Sequence, residues 1–356
     1  MKKLLKILLS IFAILALIIA GYVGYVYLSY HREADNQDLT IQSSSSAKDL
    51  QTAQDYQIMT YNIGYAAYPP DYSFFMDGGT ESRAFSKQNV KHNLQEIQGV
   101  IQEHQPDFAF FQEVDKKATR SYNIDEVATL SQNFSDYSSV YGQNYNSAYL
   151  FYPITQPIGK SQSGLVTFSK GTIAESTRYS LPIETGFNKF FDLDRAFTVS
   201  KIPVANGRFL SLYNLHLSAY TKDPAIQKAQ IKKLVAQIKK DQAEKNYIIV
   251  GGDYNHTLLP DSEKIFGETK EDLSWTHAFP EELLPKGMHI VRKDLAEKAV
   301  PSVRNLNEAY QPDKTFVTLI DGFLVSDNLS IKDIQVIDTK FAYSDHNPVQ
   351  MTFSLQ

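Results

Sequence analysis

The segment KNYIIVGGDYN, residues 245–255, is an apolar run that closes on two glycines and then delivers Asp253 and Asn255. It predicts a buried strand passing into a turn. Side chains alternate along extended chain, so Asp253 and Asn255 share one face. The same design recurs on either side of it. YQIMTYNIG (56–64) ends near Asn62, PDFAFFQEVD (106–115) ends at Gln112 and Glu113, and RFLSLYNLHLS (208–218) carries His216. TFVTLIDGFLVS (315–326) carries Asp321, IKDIQVIDT (331–339) is a further strand, and Asp345 and His346 stand just ahead of NPVQMTFSL (347–355). SGLVTFSK (163–170) and RAFTVSKIPV (195–204) complete the strands, the second joined to 208–218 by a hairpin at Ala205–Gly207. Two helices intervene. In 86–105, Val90, Leu94, Ile97 and Ile101 recur at helical spacing until Pro106 stops the run, and 223–242 is amphipathic with Pro224 in its first turn. Strands that dominate with helices between them predict an α/β (α+β) layered sandwich.

The first thirty residues are a separate object. Lys2, Lys3 and Lys6 precede an apolar run from Ile7 to Leu28. As a helix this run spans about 33 Å, enough for a hydrocarbon core of about 30 Å. Tyr22, Tyr25, Tyr27 and Tyr30 crowd its far end, where an aromatic belt sits. The run is long for the core of a cleaved signal peptide, and no small-x-small site follows closely, so the reading is an uncleaved signal-anchor over 1–30. Lysines on the near side place the N-terminus in the cytoplasm and the rest outside, a single-pass cell-membrane protein. Residues 31–54 are polar, with four consecutive serines, and predict a flexible stalk ahead of a folded domain over 55–356. The chain of 356 residues has no cysteine, which excludes disulfides, thiolate metal sites and a cysteine nucleophile. Net charge is −5, and −8 without the three anchor lysines, so a broadly basic nucleic-acid coat is excluded.

Asn62, Glu113, His216, Asp253, Asn255, Asp321, Asp345 and His346 end apolar runs or follow them directly. One such residue is an ordinary turn former. Five strands each delivering a carboxylate, amide or imidazole to one edge are a site. Glu113 and Asp345 are hard oxygen donors suited to Mg²⁺ or Mn²⁺, and Mg²⁺ keeps positions free for a phosphate oxygen. Adjacent Asp345 and His346 set a metal ligand beside a group that gives or takes a proton.

YNIG (61–64), FQEVD (111–115), NLHLS (214–218), GGDYN (251–255), IDGFLVS (320–326) and SDHNPV (344–349) resemble, in order and spacing, the motif set of the endonuclease/exonuclease/phosphatase superfamily. That group includes pancreatic-type deoxyribonuclease, abasic-site endonucleases, bacterial sphingomyelinases and inositol-polyphosphate 5-phosphatases. The resemblance covers about 56–356. It implies a four-layered α/β sandwich of two packed mixed sheets flanked by helices, with the site at one end of the sheets. It implies Glu113 as principal metal ligand with Asn62 beside it, and Asp345 reaching the same ion. It implies that Asp253 orients or deprotonates the attacking water, that Asn255 helps hold the phosphate, and that His216 contacts it. His346 either donates to a phosphate oxygen or acts as base, and Asp321 fixes its ring. Arg195 stands where the family carries a phosphate-contacting Arg, with a salt bridge to Asp192 or Asp194 as the rival.

Three aromatic loops, 64–85, 137–153 and 182–195, adjoin the motifs and are expected near the site, whereas 121–127 reads as surface. None of the three has an excess of Lys or Arg, which duplex nucleases use along several phosphates. A small or lipid-borne phosphoester therefore ranks above duplex nucleic acid as the substrate. A membrane-tethered nuclease and an inactive binding module on the same fold are the alternatives, and no protein partner is inferred.

Overall fold

Successive residues of the predicted strands enter different cores. Ile58, Phe108 and Phe110 are buried with Leu210, Leu212, Ile248 and Val250, whereas Met59, Ala109 and Phe111 are buried with Val90, Leu94, Ile97 and Ile101. This alternation is what a sheet with two covered faces requires. The structure is a computed structural model that describes residues 1–190, 192–219, 224–267 and 276–356, without the side chains of residues 188 and 224. Residue 223, where the second long helix is expected to begin, lies outside the described residues.

The chain begins with helix α1 (Lys2–Ser29), strands β1 (Gln37–Asp38), β2 (Ile41–Gln42) and β3 (Asp55–Asn62), helix α2 (Lys87–His104), strand β4 (Phe108–Ala118) and helix α3 (Glu126–Asn133). Strands β5 (Ser138–Asn146), β6 (Ser161–Ser169), β7 (Glu175–Ser180), β8 (Ala196–Pro203) and β9 (Phe209–His216) lead to helix α4 (Pro224–Ala243). Then come β10 (Tyr247–Asp253), β11 (His256–Thr257), α5 (Ser262–Phe266), β12 (His277–Ala278), β13 (Met288–Ile290) and α6 (Leu295–Lys298). The last strands are β14 (Val303–Arg304), β15 (Val317–Thr318), β16 (Asp321–Ser326), β17 (Leu329–Val336) and β18 (Val349–Leu355).

One seven-stranded sheet has the order β1-β7-β8-β9-β10-β16-β13, and a second has β17-β18-β3-β4-β6-β5-β2. Each is antiparallel except for one parallel pair at its centre, β9/β10 and β3/β4. A helix makes each parallel crossover, α4 in the first and α2 in the second, as parallel neighbours demand. Ser86 caps α2 by accepting from the Asn89 amide at 3.1 Å. The sheets pack face to face with α2 and α4 outside them, the four-layered sandwich. Because both parallel pairs run the same way into their crossovers, Asn62, His216 and Asp253 all finish their strands at sheet ends, and antiparallel β16 begins with Asp321 directly beside Asp253. Buried polar links tie the layers: Gln112 Nε2 donates to Asn214 Oδ1 at 2.8 Å, joining the strand of Glu113 to the strand of His216.

Four expectations need correction. Residues 31–54 are not a flexible stalk. β1 pairs with edge strand β7 of one sheet and β2 with β5 of the other, and Leu50 is buried in the core. Leu39, Ile41 and Leu50 supply enough apolar surface to lay this polar strap over exposed sheet edges. The expected strand 315–326 is two strands, broken where the Ile320 and Asp321 amides both donate to Ser302 Oγ at 3.0 Å. The aromatic segment 137–153 is a strand as far as Asn146. Residues 121–127 are not all surface: Ser121 and Glu126 are buried, bonded to the Asp115 carboxylate and amide. Helix α1 is long and apolar enough to cross a membrane.

Candidate active site

A cavity of about 930 Å³ opens at the end of the sandwich where these strands finish. Glu113, His216, Asp253, Asn255, Asp345 and His346 form its polar floor. Asp253 lies between His216 and Asp321 as Cα partners on adjacent strands. Its Oδ2 accepts from Asn62 Nδ2 at 3.0 Å and lies 3.3 Å from His216 Nε2, and its Oδ1 accepts from the Asn255 amide at 2.9 Å. The carboxylate is thus held in one orientation by three neighbours. Asn62 sits fully buried behind it, with Oδ1 accepting from the Gly64 amide at 3.1 Å. Both ends of the Asn62 amide are engaged, which makes it the support of Asp253. Asn255 donates Nδ2 to the Leu217 carbonyl at 2.8 Å.

His346 is fixed from below. Its Nδ1 lies 2.8 Å from Asp321 Oδ2, and Ser302 Oγ donates to the same oxygen at 2.8 Å. This leaves Nε2 facing the cavity, 3.9 Å from both Asp253 Oδ2 and Asp345 Oδ2. Burial opposes the imidazolium, but the Asp321, Asp345 and Asp253 charges override it and push His346 up to about 10. Burial followed by the Asp345 charge pushes Glu113 up to about 7, and burial followed by Asp321 pushes Asp253 up to about 7. Burial, reinforced by Arg195 and His346, drops His216 well below the ordinary imidazole range, so His216 is neutral beside a cationic His346.

Glu113 lies inside β4, not at its end as expected. Between Phe111 and Val114 the pairing of β4 with β6 shifts register, and Glu113 takes φ +55° in that bulge. A non-glycine residue in the left-handed region is costly and clusters at functional sites. Asn255 (φ +50°), Arg195 (φ +40°) and Tyr65 (φ +54°), all at this cavity, share the feature. The Glu113 carboxylate is the most open of the four at the site, 18% exposed, with His216 Nε2 3.9 Å away. Gly64 (φ +52°) passes close to Asp345: a Cβ there would stand 2.8 Å from Asp345 Oδ1. Arg195 lines the cavity, donates Nη1 to the Leu217 carbonyl at 2.8 Å and pairs with Asp192 at 3.4 Å, while Asp194 is taken by the Tyr30 hydroxyl at 3.1 Å.

All eight strand-end residues and Arg195 therefore converge, six of the eight on the cavity surface and Asn62 and Asp321 behind it. Asp253, Asp321 and His346 bring ligand atoms within 4.8 Å of one another, a buried group with the composition of a metal site. Hard oxygens at Glu113 and Asp345 lie alongside it. The aromatic segments all reach the cavity, through Tyr65, Tyr68 and Phe74, through Tyr145 and Phe151, and through Glu184 and Leu193. Sequence reasoning missed Ser302, which bonds Asp321, and Arg304, which is buried in the wall with its backbone amide on the Asp345 carbonyl at 3.0 Å. PSVRN has no local mark of either role, because both arise only when Val303 bridges to His346.

Residues 59–346 match the model of the endonuclease/exonuclease/phosphatase family. The chain belongs to this family, and it is a phosphoesterase. No curated protein sequence matches it. Among solved structures, an endonuclease/exonuclease/phosphatase from Beutenbergia cavernae superposes with a TM-score of 0.55 at 16% identity, covering 85% of this chain and 72% of that one. The catalytic domain of human Nocturnin, with a bound sulfate anion, gives 0.53 at 16% identity over 89% of this chain and 97% of that one. D. rerio TDP2 complexed with a single-strand DNA product gives 0.53 at 14% identity over 85% and 99%. At these identities the likeness is one of fold.

Proposed function

We propose that the protein is a Mg²⁺- or Mn²⁺-dependent phosphoester hydrolase whose catalytic domain lies outside the cytoplasmic membrane and acts on a small or lipid-borne phosphoester. The observation that carries the reading is the pairing, in one cavity, of an oriented Asp253 with a His346 locked by Asp321 and Ser302. In the reaction, water's oxygen bonds to phosphorus and the P–O bond to the leaving group breaks. Asp253, oriented by Asn62 and the Asn255 amide, takes the water's proton, and the leaving oxygen gains a proton from solvent. His346, cationic and with Nε2 facing the cavity, donates to a phosphate oxygen, and Arg195 and neutral His216 flank it.

The donor set fits a hard divalent cation. Asp321 gives Oδ2 to His346 and Ser302 and lies behind the cavity, so Glu113 and Asp345, which line it, are the carboxylates best placed for the ion. A bound ion would supply Lewis-acid withdrawal of charge from a phosphate oxygen and a positive charge to offset four crowded carboxylates, three of them buried. Asn62 enters this reading as the residue that orients Asp253, in place of the ligand role that the resemblance implied. Retention of α1 is supported by contacts at its end: Val26 is buried against Ala148 and Phe190, and Tyr30, the residue that follows the helix, bonds Asp194. The three N-terminal lysines favour the cytoplasmic side for the N-terminus.

The test is a panel of phosphomonoesters and phosphodiesters, including nucleotides, plasmid DNA and phospholipids, with Mg²⁺ or Mn²⁺ and with excess EDTA. Hydrolysis that stops with chelator and changes less than about threefold between 50 and 200 mM salt is expected. Cleavage of DNA alone, with a steep negative salt slope, favours the membrane-tethered nuclease instead.

A further inference from the structure

The end of α1 is part of the active-site cavity. Tyr22, which belongs to the apolar run of that helix, lines the same cavity as Glu113, Arg195 and His346. Its ring packs edge-on against Phe151 at 5.1 Å, and its hydroxyl donates to the Tyr149 carbonyl at 3.0 Å. The Tyr149 amide in turn donates to the Tyr25 hydroxyl at 3.1 Å. Leu28, where the apolar run stops, lies about 9 Å further along at 1.5 Å per residue. A helix that crosses a bilayer with this run in the hydrocarbon carries Tyr22, and with it Phe151, about 9 Å inside the outer end of the run, within the outer leaflet.

The lip next to Phe151 is apolar and bare. Phe151 is 56% exposed, Tyr152 69% and Ile154 87%, and Met76 on the facing loop is 59% exposed. All four line the mouth of the cavity. Tyr65, Tyr68, Phe74 and Phe75 continue the apolar wall inward. Near the helix end Phe187 is half exposed beside Tyr27, and the Lys189 ammonium lies 5.1 Å over the rings of Tyr30 and Phe190, a cation–π contact. An exposed apolar patch continuous with a membrane-crossing helix has one natural cover, the leaflet that the helix leaves.

We infer that the cavity opens onto the bilayer surface, with Phe151, Tyr152, Ile154 and Met76 as a lip in the outer leaflet, and that the substrate is a phosphoester carried by a membrane lipid. The inference rests on the hydrolase reading above and narrows its substrate. A lipid headgroup enters the polar floor while its chains stay against the lip and the aromatic wall. The enzyme then reaches its substrate by diffusion in two dimensions.

The test uses the full chain with Mg²⁺ in vesicles of phosphatidylcholine, phosphatidylglycerol, sphingomyelin and phosphatidylinositol, and compares it with the variant carrying Tyr152→Ser and Ile154→Ser at the two most exposed positions of the lip. Both proteins are also assayed on the water-soluble diester bis(p-nitrophenyl) phosphate. The inference predicts that lipid hydrolysis falls at least about tenfold in the variant while hydrolysis of the soluble diester stays within twofold. Equal losses on both substrates, or no loss on either, overturn it. Wild-type cleavage of soluble esters with none of any lipid overturns the inference and leaves the hydrolase reading standing. If neither class is cleaved by the wild type, the hydrolase reading fails. A spin label then tests the lip alone, because the chain has no cysteine. A label on Ile154→Cys is expected to collide with dissolved oxygen as a bilayer-contacting site does, and a label on Ala205→Cys, in the turn at the opposite end of the sheet, to behave as a water-exposed one. A water-exposed signal at position 154 rules out the lip.

Discussion

Asp321→Asn isolates the device that sets the charge of His346. Asp321 touches no substrate in this account. It acts through Nδ1 of His346 at 2.8 Å, and it lies fully buried with Ser302 as a second partner. Three carboxylates push His346 from the ordinary imidazole range up to about 10 against the opposing effect of burial, and Asp321 is the foremost of them. At about 1.4 kcal/mol for each factor of ten in proton affinity, that displacement is a net stabilisation of the cation by several kcal/mol. Removing the charge in direct contact removes a large part of it, and the side-chain amide also offers Nδ1 a donor as readily as an acceptor. The expected result at saturating Mg²⁺ is a fall in kcat of about 10²-fold or more with little change in KM, and an alkaline limb that moves down by at least about one pH unit. The assay is the pH profile of soluble-diester hydrolysis from pH 5 to 10, with the melting temperature measured alongside. A profile that keeps its alkaline limb, or a loss under about threefold, refutes the claim that a cationic His346 donates to the phosphate. Activity loss in proportion to lost folded protein refutes it as well.

Gly64→Ala forces a Cβ to within 2.6 Å of Tyr68 and 2.8 Å of Asp345 Oδ1 at φ +52°, so it should cost about 1–2 kcal/mol of stability by conformation alone and cut kcat at least about tenfold by displacing Asp345; thermal melts and kinetics check both. Glu113 and Asp253 both stand at about 7, above their ordinary values, so native protein holds protons there that unfolded chain has lost. Metal-free stability should therefore fall as pH rises from about 4 to about 7, and fall further toward about 10 as His346 loses its proton. Added Mg²⁺ should raise the melting temperature more at pH 8 than at pH 5, which calorimetry measures. Protease added to intact protoplasts should degrade the catalytic domain; protection until lysis contradicts the orientation.

Much of the site was legible because it is written at strand ends. An apolar run that stops at Asn62, His216 or Asp253 marks both the element and the edge it points to, and GGDYN and SDHNPV tie those edges into one set. What escaped needed distant partners. Glu113 closes no strand: it is thrown toward the cavity by a bulge against β6, a register shift that no local pattern in FQEVD announces. Ser302 and Arg304 gain their roles only through contact with Asp321 and Asp345 across the fold. The strap over 31–54 reads as disordered because its few apolar residues are spread thin, yet Leu39, Ile41 and Leu50 each meet a sheet edge or core. The strand 138–146 is rich in Ser, Tyr, Asn and Gly and imitates a loop, while its neighbour β6 supplies the pairing that makes it a strand.

The central claim is that Glu113 and Asp345 hold the cation while Asp253 and His346, braced by Asn62 and Asp321, handle protons. Calorimetric titration of Mg²⁺ and Mn²⁺ into wild type and Glu113→Gln, paired with phosphoester hydrolysis at each metal concentration, tests it most directly. No hydrolysis in excess EDTA, activity that returns with metal occupancy, and cation affinity at least about tenfold weaker in Glu113→Gln are expected. Hydrolysis undiminished by EDTA, or a Glu113→Gln protein that binds the cation as wild type does, would contradict it.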